Sequence, residues 1–151
     1  LADLEAFIVR AKRATYVGSG ETAASSRAGS HDLVFADGDW GYRDSYFGGT
    51  DFHGQEVVWH RGEPVWAMSY YGTILCPGLI DAPRAGATIK AALSAMYAEG
   101  RFLDGFEWQG EHGLYRDSST GDVAHFHRRE TISVDGVEAY ALDYFGGLVK
   151  A

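Results

Sequence analysis

The sequence is nearly free of cysteine and contains no long apolar run. Its one cysteine, Cys76, cannot form an internal disulfide, and no C-x-x-C pair is present to hold structural zinc. We therefore expect a reducing, cytoplasmic setting. No apolar stretch approaches the ~18–20 residues that span a bilayer, and no charged-then-apolar leader opens the chain. The sequence thus predicts a soluble protein without a membrane partner.

Positive charge and asparagine are also scarce. The chain carries 13 Lys and Arg against 21 Asp and Glu, which gives a formal net charge of −8. Because such a field repels phosphate backbones, we expect no nucleic acid partner for this domain. Asparagine is absent, so tight turns that need a positive φ depend on aspartate and on the 20 glycines.

What is present suffices for one folded domain, which we predict to span residues 1–151. The chain is 46% hydrophobic and 23% charged, a composition that folds without disulfides or metal at this length. Apolar residues recur at helical spacing in two segments, which predicts helices over 3–13 and 84–99. In the first segment Arg10, Lys12 and Arg13 fall between the apolar positions, as in an amphipathic helix.

Short aromatic or β-branched runs alternate with turn pairs from residue 32 onward, the pattern of an antiparallel sheet. After a first hairpin at Asp37-Gly38, strands are predicted over 40–47, 54–60, 64–72, 106–109, 113–118, 122–134 and 137–147. Residues 18–31 have no apolar period and predict a long polar loop. We expect an α+β fold: a strongly curved antiparallel sheet of about seven or eight strands, with two helices packed on it, enclosing an aromatic-lined pocket. The polar loop would form a lid or rim of this pocket.

Several consecutive motifs carry a family resemblance over nearly the whole chain. They lie at residues 11–18, 25–33, 38–40, 44–49, 56–59, 64–72 (PVWAMSYYG) and 146–150. With these motifs the chain resembles a bacterial family catalogued only as a domain of unknown function. The resemblance implies a stand-alone protein of this size or the C-terminal half of a helix-turn-helix regulator, and hence a ligand-sensing role in some contexts. It carries over no catalytic residues.

The polar loop is the densest cluster of hydroxyl and charged groups in the chain. Arg27 offers planar bidentate donors, and with Ser30 it would suit a carboxylate or phosphate on a ligand. His31 titrates near neutrality and is a candidate general base. The alternative is structural, with Ser30 capping a turn and Arg27 pairing with a carboxylate.

Tyrosine and tryptophan alternate along several predicted strands, so that their rings should converge on one face. Their N–H and O–H groups need partners when buried, which suits the wall of an amphipathic pocket better than a dry core. The alternative is a core of aromatic rings with their polar tips at the surface. The predicted ligand-binding wall comprises Trp40, Tyr46, Trp59, Trp66, Tyr70 and Tyr144.

Two carboxylates complete the candidate site. Asp44 alternates with the aromatic residues of its strand, and Glu56 lies on a strand predicted to be its neighbour. A carboxylate beside aromatic rings has its pKa raised by desolvation and becomes a general acid or base. His31, Asp44 and Glu56 are therefore the predicted catalytic residues, although an exposed acid remains the alternative for each carboxylate.

His125 and His127 form an H-x-H pattern with Glu130 nearby, similar to cupin metal sites. In a strand the two histidines share a face, whereas Glu130 points to the other face unless a bulge intervenes. The alternative is a polar sheet face in solvent or along a cleft. We expect no bound metal, and no phosphate-binding or dinucleotide-binding motif calls for a cofactor.

Two functions fit these features, and the sequence barely separates them; the first is the one that we favour. The first is a cofactor-independent acid–base enzyme of cyclase, isomerase or hydro-lyase type acting on a small organic substrate. The second is a ligand-sensing or carrier domain with the same pocket and no chemistry. A protein-interaction module is a third possibility, and it requires an exposed apolar patch instead of a concave site.

Overall fold

A computed structural model describes residues 1–18 and 21–151 of the chain. Two helices and nine strands follow in the order α1 (Ala2–Lys12), β1 (Glu21–Ala23), β2 (His31–Asp37), β3 (Trp40–Gly48), β4 (Phe52–His60), β5 (Glu63–Ile74), α2 (Ala82–Ala98), β6 (Phe106–Gln109), β7 (Leu114–Asp122), β8 (His125–Val134) and β9 (Val137–Leu148). A π-helical turn, Arg13–Val17, continues α1. None of the described helices is long and apolar enough to cross a membrane.

All nine strands form one open antiparallel sheet in the order β1-β2-β3-β4-β5-β9-β8-β7-β6. The first five strands and the last four are each a meander, and the pairing of β5 with β9 joins them. The predicted α+β class, with an antiparallel sheet and two helices, is confirmed. The additional strand is β1, a three-residue edge strand inside the predicted polar loop, which pairs with β2. The remainder of that prediction includes Ser19 and Gly20, which lie outside the described residues.

The residues of the hairpin turns mark the strand boundaries in the sequence. The turn between β4 and β5 has Arg61 and Gly62 at positive φ, and the turn between β8 and β9 has Asp135 and Gly136 at positive φ. Two successive residues of positive φ match the right-handed twist of the strands that they connect. These turns set the register, and the register sets which residues share a face.

One face of the sheet is buried beneath the helices and the other is exposed. From α1, Phe7 packs on Phe35 of β2 and stacks on Trp40 of β3, with ring centroids 5.7 and 5.4 Å apart. Helix α2 begins with an N-cap at Asp81, whose side chain accepts a hydrogen bond from the Arg84 amide at 3.0 Å. The buried face carries the apolar core, and it also carries a group of charged residues that define the candidate site.

Candidate functional site

A cavity of about 320 Å³ lies between α2 and the buried face of the sheet. Its volume is at the lower end of the range of roughly 300–1,000 Å³ that is usual for ligand pockets. Exposed residues, Gly49, Thr50, Gly86 and Lys90, form its mouth. Its walls are mostly apolar: Phe52, Met68, Ile74, Ala82, Ala85, Ile89, Leu93 and Leu142. The remaining lining residues are Tyr97 of α2 and polar side chains that belong to two clusters of buried charge.

The first cluster centres on an ion pair between Lys12 and Glu56. The Lys12 Nζ donates to both carboxylate oxygens of Glu56, at 2.9 and 2.7 Å. The two side chains are 3% and 0% exposed, and both line the cavity. The hydroxyl of Tyr42 also donates to Glu56. Breaking such a buried pair is costly, because the remaining charge is left in a low-dielectric interior.

Asp44 lies directly across from Glu56 in the pairing of β3 with β4. Its carboxylate accepts hydrogen bonds from Tyr70 at 2.6 Å and from Tyr16 at 3.2 Å. Burial, followed by the negative charge of Glu56, raises the pKa of Asp44 to about 7 against the opposing effects of Tyr70 and Lys12. Asp44 therefore takes up and releases its proton near neutral pH. Tyr16 and Tyr70 connect it to the cavity, since both line it.

Cross-strand register and one glycine place Tyr70 over Asp44. Tyr70 lies opposite Gly54 on β4, and a Cβ atom at Gly54 would collide with the Tyr70 hydroxyl. The missing side chain lets the phenol ring lie across β4 and reach β3. The π-helical turn after α1 brings Tyr16 to the other oxygen of the same carboxylate. Both hydroxyls stay donors at neutral pH, because burial and then nearby negative charge raise the pKa of each phenol.

The second cluster has the same composition, a buried ion pair beside a carboxylate held by tyrosines. Arg128 binds Asp117 through its Nε at 2.7 Å and through a second guanidinium nitrogen. Tyr144 donates to Asp117 at 3.1 Å. Glu130 accepts hydrogen bonds from Tyr115 at 2.6 Å and Tyr140 at 2.9 Å. The cavity touches Arg128, Glu130, Tyr140 and Tyr144.

The junction of the two meanders brings the clusters to one cavity. Tyr70 on β5 lies directly opposite Tyr144 on β9, which in turn lies opposite Arg128 on β8. Opposed residues of antiparallel strands share a face, so this row points toward the helices. The first cluster comes from the N-terminal meander and α1, and the second cluster comes from the C-terminal meander.

Four of the sequence-predicted site residues lie in or next to the cavity lining. Glu56, Tyr70 and Tyr144 line it directly. Asp44 is 1% exposed and contacts the lining through its tyrosine partners. The predicted convergence of these side chains on one face therefore agrees with the strand register.

The polar loop places its predicted residues away from the cavity. His31 is exposed at the start of β2, where its ring lies 5.2 Å from that of Tyr46. Arg27 is exposed over the Phe47 ring and donates to the Ser45 carbonyl at 3.2 Å. None of the described loop residues lines the cavity as a lid or rim.

Ser30 has a structural partner in the same region. Its hydroxyl donates to Asp32 at 2.6 Å, and Asp32 is 4% exposed. Desolvation opposes ionisation of Asp32, but hydrogen bonds from Ser30, Ser26 and Ser45 outweigh it and lower the pKa of Asp32 to about 2. This local network corresponds to the structural alternative that the sequence left open for Ser30.

The remaining predicted aromatic residues also lie outside the cavity lining. Trp40 is half-buried between Phe7 and His60, with the His60 ring 4.3 Å away. Tyr46 and Trp59 are half-buried on β3 and β4. Trp66 is fully buried and donates its indole N–H to the Val123 carbonyl at 3.0 Å. Trp66 belongs to the apolar core, and Trp40 and Tyr46 pack against that core.

His125 and His127 lie on the exposed face of β8, and His127 stacks on Phe145 with centroids 5.6 Å apart. Glu130 points to the opposite, buried face, as its odd spacing predicted. Within residues 1–18 and 21–151, no group of three or more His, Cys, Asp or Glu side chains is arranged to hold a metal ion. The H-x-H pattern therefore corresponds to a solvent-facing sheet surface.

Sequence reasoning missed the two cations of the site. Lys12 was placed on the polar side of its helix, yet it continues the buried stripe of Leu4 and Ile8 at four-residue spacing. Arg128 alternates with Phe126 and Glu130 on the buried face of β8. The available signal was four-residue spacing for Lys12 and two-residue alternation for Arg128. Tyr97 of α2, another lining residue, was also missed.

The structure is that of a small α+β protein with a cavity lined by apolar side chains and by members of two clusters of buried charge. The chain belongs to the family described as Domain of unknown function (DUF5680), whose model matches residues 44–149. That match runs from Asp44, within β3, past the end of β9 and includes both clusters except for Lys12, Tyr16 and Tyr42. No curated protein and no solved structure shows significant similarity to the chain.

Proposed function

We propose that the protein binds a small organic molecule in the cavity and catalyses proton transfer on it. The observation that carries this proposal is Asp44, a buried carboxyl group whose pKa of about 7 suits both uptake and release of a proton at neutral pH. Cofactor-independent cyclase, isomerase and hydro-lyase reactions can use such a group as general acid or base. The cavity also favours ligand binding over the interaction-module alternative, which requires no concave site.

The proton would move through Tyr70, whose hydroxyl connects Asp44 to the cavity. In the direction of substrate deprotonation, the Tyr70 oxygen accepts a proton from the ligand while its own proton passes to Asp44. Tyr70 ends unchanged, Asp44 ends protonated, and the ligand has lost one proton. The Lys12 ammonium lies in the same lining and would stabilise negative charge that develops on the ligand. Glu56 holds that ammonium in place as a positioning residue.

A ligand-sensing or carrier function is the second candidate. It is favoured by the position of Asp44, which reaches the cavity only through tyrosine hydroxyls. Relatives fused to helix-turn-helix regulators, as the sequence resemblance implies, would use the same cavity in this way. For both candidate functions we also propose that the protein is bacterial and lies in the cytoplasm. His31 and Arg27 have no role in either mechanism, since both lie outside the cavity lining.

Deuterium incorporation separates the two functions. The wild-type protein and Asp44→Asn are incubated in D2O with a small-metabolite extract, and mass changes are read by mass spectrometry. Native mass spectrometry on the same samples reports which metabolites are retained. Asp143→Asn, which removes an exposed carboxylate that binds Arg129, is the matched control.

An enzyme is expected to deuterate or convert at least one metabolite, with the activity lost in Asp44→Asn and kept in Asp143→Asn. Retention of the same metabolite by Asp44→Asn would show that binding and chemistry are separate. If a metabolite is retained but none is deuterated or converted, the catalytic proposal fails and the sensing function replaces it.

A further inference from the structure

The two clusters contain more buried carboxylates than buried cations. The clusters hold six ionisable side chains that are 6% exposed or less, namely the carboxyl groups of Asp44, Glu56, Asp117 and Glu130 and the cations Lys12 and Arg128. Lys12 pairs with Glu56, and Arg128 pairs with Asp117. Within the described part of the chain, neither Asp44 nor Glu130 has a cationic group within 4.0 Å. Each is held by two tyrosine hydroxyls instead.

A buried carboxylate without a cation is unfavourable in a low-dielectric interior, and phenol hydrogen bonds offset only part of the cost. The remaining cost is removed when the carboxylate takes up a proton or when a positive charge comes close. Glu130 itself lines the cavity, and Asp44 lies one tyrosine behind the lining. A cation in the cavity would therefore lie near both carboxylates.

The aromatic lining also suits a cation. Six rings border the cavity: Tyr16, Phe52, Tyr70, Tyr97, Tyr140 and Tyr144. Ring faces attract cations within about 6 Å of their centroids. The protein already uses two of these rings in this way, because Arg128 lies 4.5 Å from the centroid of Tyr144 and Lys12 lies 5.7 Å from that of Tyr16.

Tyr97 is an independent indication of a polar group on the ligand. Its side chain is 4% exposed and lines the cavity from α2. Within residues 1–18 and 21–151 its hydroxyl makes no hydrogen bond and is not fully enclosed. It is therefore accessible from the cavity to an N–H group of a bound ligand.

We propose that the ligand is an organic cation, with an ammonium group directed at the polar end of the cavity and a compact apolar body against the walls. This inference rests on the proposed function only in that the cavity binds a ligand. A ligand with a full negative charge fits less well, because the two clusters hold four carboxylates against two cations and each cation is already paired with one of those carboxylates. Lys90 lies at the exposed mouth, where water screens its charge.

Three probes of similar size and different charge test the inference: benzylamine, benzyl alcohol and benzoate. Their binding to the purified full chain is measured by isothermal titration calorimetry at neutral pH, where benzylamine is protonated. We expect benzylamine to bind about tenfold more tightly than benzyl alcohol, a difference of about 1.4 kcal/mol. Benzoate is expected to bind most weakly of the three.

Two variants connect the preference to the named groups. Glu130→Gln removes one negative charge at nearly constant shape and should lower benzylamine affinity about tenfold while leaving that of benzyl alcohol unchanged. Phe52→Leu removes one ring of the lining and should weaken benzylamine several-fold more than benzyl alcohol. Glu107→Gln, an exposed carboxylate of β6 that binds Arg116, is the matched control and should change neither affinity. Circular dichroism checks that each variant is folded. If Glu130→Gln does not fold, the affinities of Phe52→Leu provide the test instead.

The outcomes separate this inference from the proposed function. If benzyl alcohol or benzoate binds as tightly as benzylamine, the assignment of a cation is wrong, but the cavity remains a ligand site. An undiminished preference for benzylamine in both variants also overturns it. If none of the probes binds at millimolar concentration, both the cation and the ligand site are refuted.

Discussion

The pH dependence of protein stability is the most direct test of the raised pKa of Asp44. Asp44 has a folded-state pKa of about 7 against an ordinary value of 3.8. The folded protein therefore binds a proton more tightly than the unfolded chain does. Stability from this group is fully present below about pH 4 and is lost as the pH rises through 7, which is the reverse of the usual carboxylate.

The magnitude follows from the size of the shift. A change of about three pKa units corresponds to about 4 kcal/mol of unfolding free energy, since one unit is about 1.4 kcal/mol. Asp44→Asn removes the titration. Relative to this variant, the wild type should lose about 4 kcal/mol between pH 4 and pH 8. Asp32, with its pKa lowered to about 2, acts in the opposite direction but only below about pH 4, so the two windows are separate.

The assay is urea denaturation of both proteins at intervals across this pH range, followed by tryptophan fluorescence. Asp143→Asn, with its exposed carboxylate, corrects for the general effect of one lost charge. A difference between wild type and Asp44→Asn that stays constant from pH 4 to pH 8 would refute the reasoning. It would show that the Asp44 carboxyl is ionised throughout and that the proton-transfer proposal lacks its acid.

Three further substitutions test the remaining parts of the structure. Lys12→Met should destabilise the fold by about 3–5 kcal/mol in urea denaturation, because Glu56 is left buried without its cation. Adding Glu56→Gln should recover part of this loss. If the losses of the two single variants simply add in the double variant, the two side chains are not a coupled pair. Gly86→Ala should raise the free energy of unfolding by about 0.5–1 kcal/mol, since the added methyl group enters open space in α2, and a loss of stability would reveal an unseen contact. Trp66→Phe should cost about 1–3 kcal/mol by leaving the Val123 carbonyl without its donor, and an unchanged urea midpoint would show that this hydrogen bond is replaceable.

Local patterns predicted the fold class well because they act over short distances. The turn pairs Arg61-Gly62 and Asp135-Gly136 supplied the two residues of positive φ that tight hairpins require. Period-two alternation then assigned Asp44 and Tyr70 to the same face as their neighbours. The strand β1 escaped prediction because its three residues have no pattern of their own and become a strand only by pairing with β2.

The candidate site was predicted less completely, because parity cannot tell which of two polar faces is buried. On β8 the alternation of His125 and His127 resembled a metal site, but these residues are exposed, and the buried face carries Arg128 and Glu130. A charged residue is placed at the surface by default, since burying it alone is unfavourable. Only the presence of partners on other elements reverses that rule.

The sequence by itself determined the number of helices, the hairpin turns and the convergence of acidic and aromatic side chains on one sheet face. Each of these depends on residues within a few positions of one another. Tertiary structure decided that Lys12 and Arg128 are buried. Glu56, the partner of Lys12, lies 44 residues further along the chain, and Arg128 binds the Phe102 carbonyl 26 residues away in addition to Asp117 on the adjacent strand. Tertiary structure also joined the two clusters at one cavity through the pairing of β5 with β9, a contact between distant segments that no local pattern specifies.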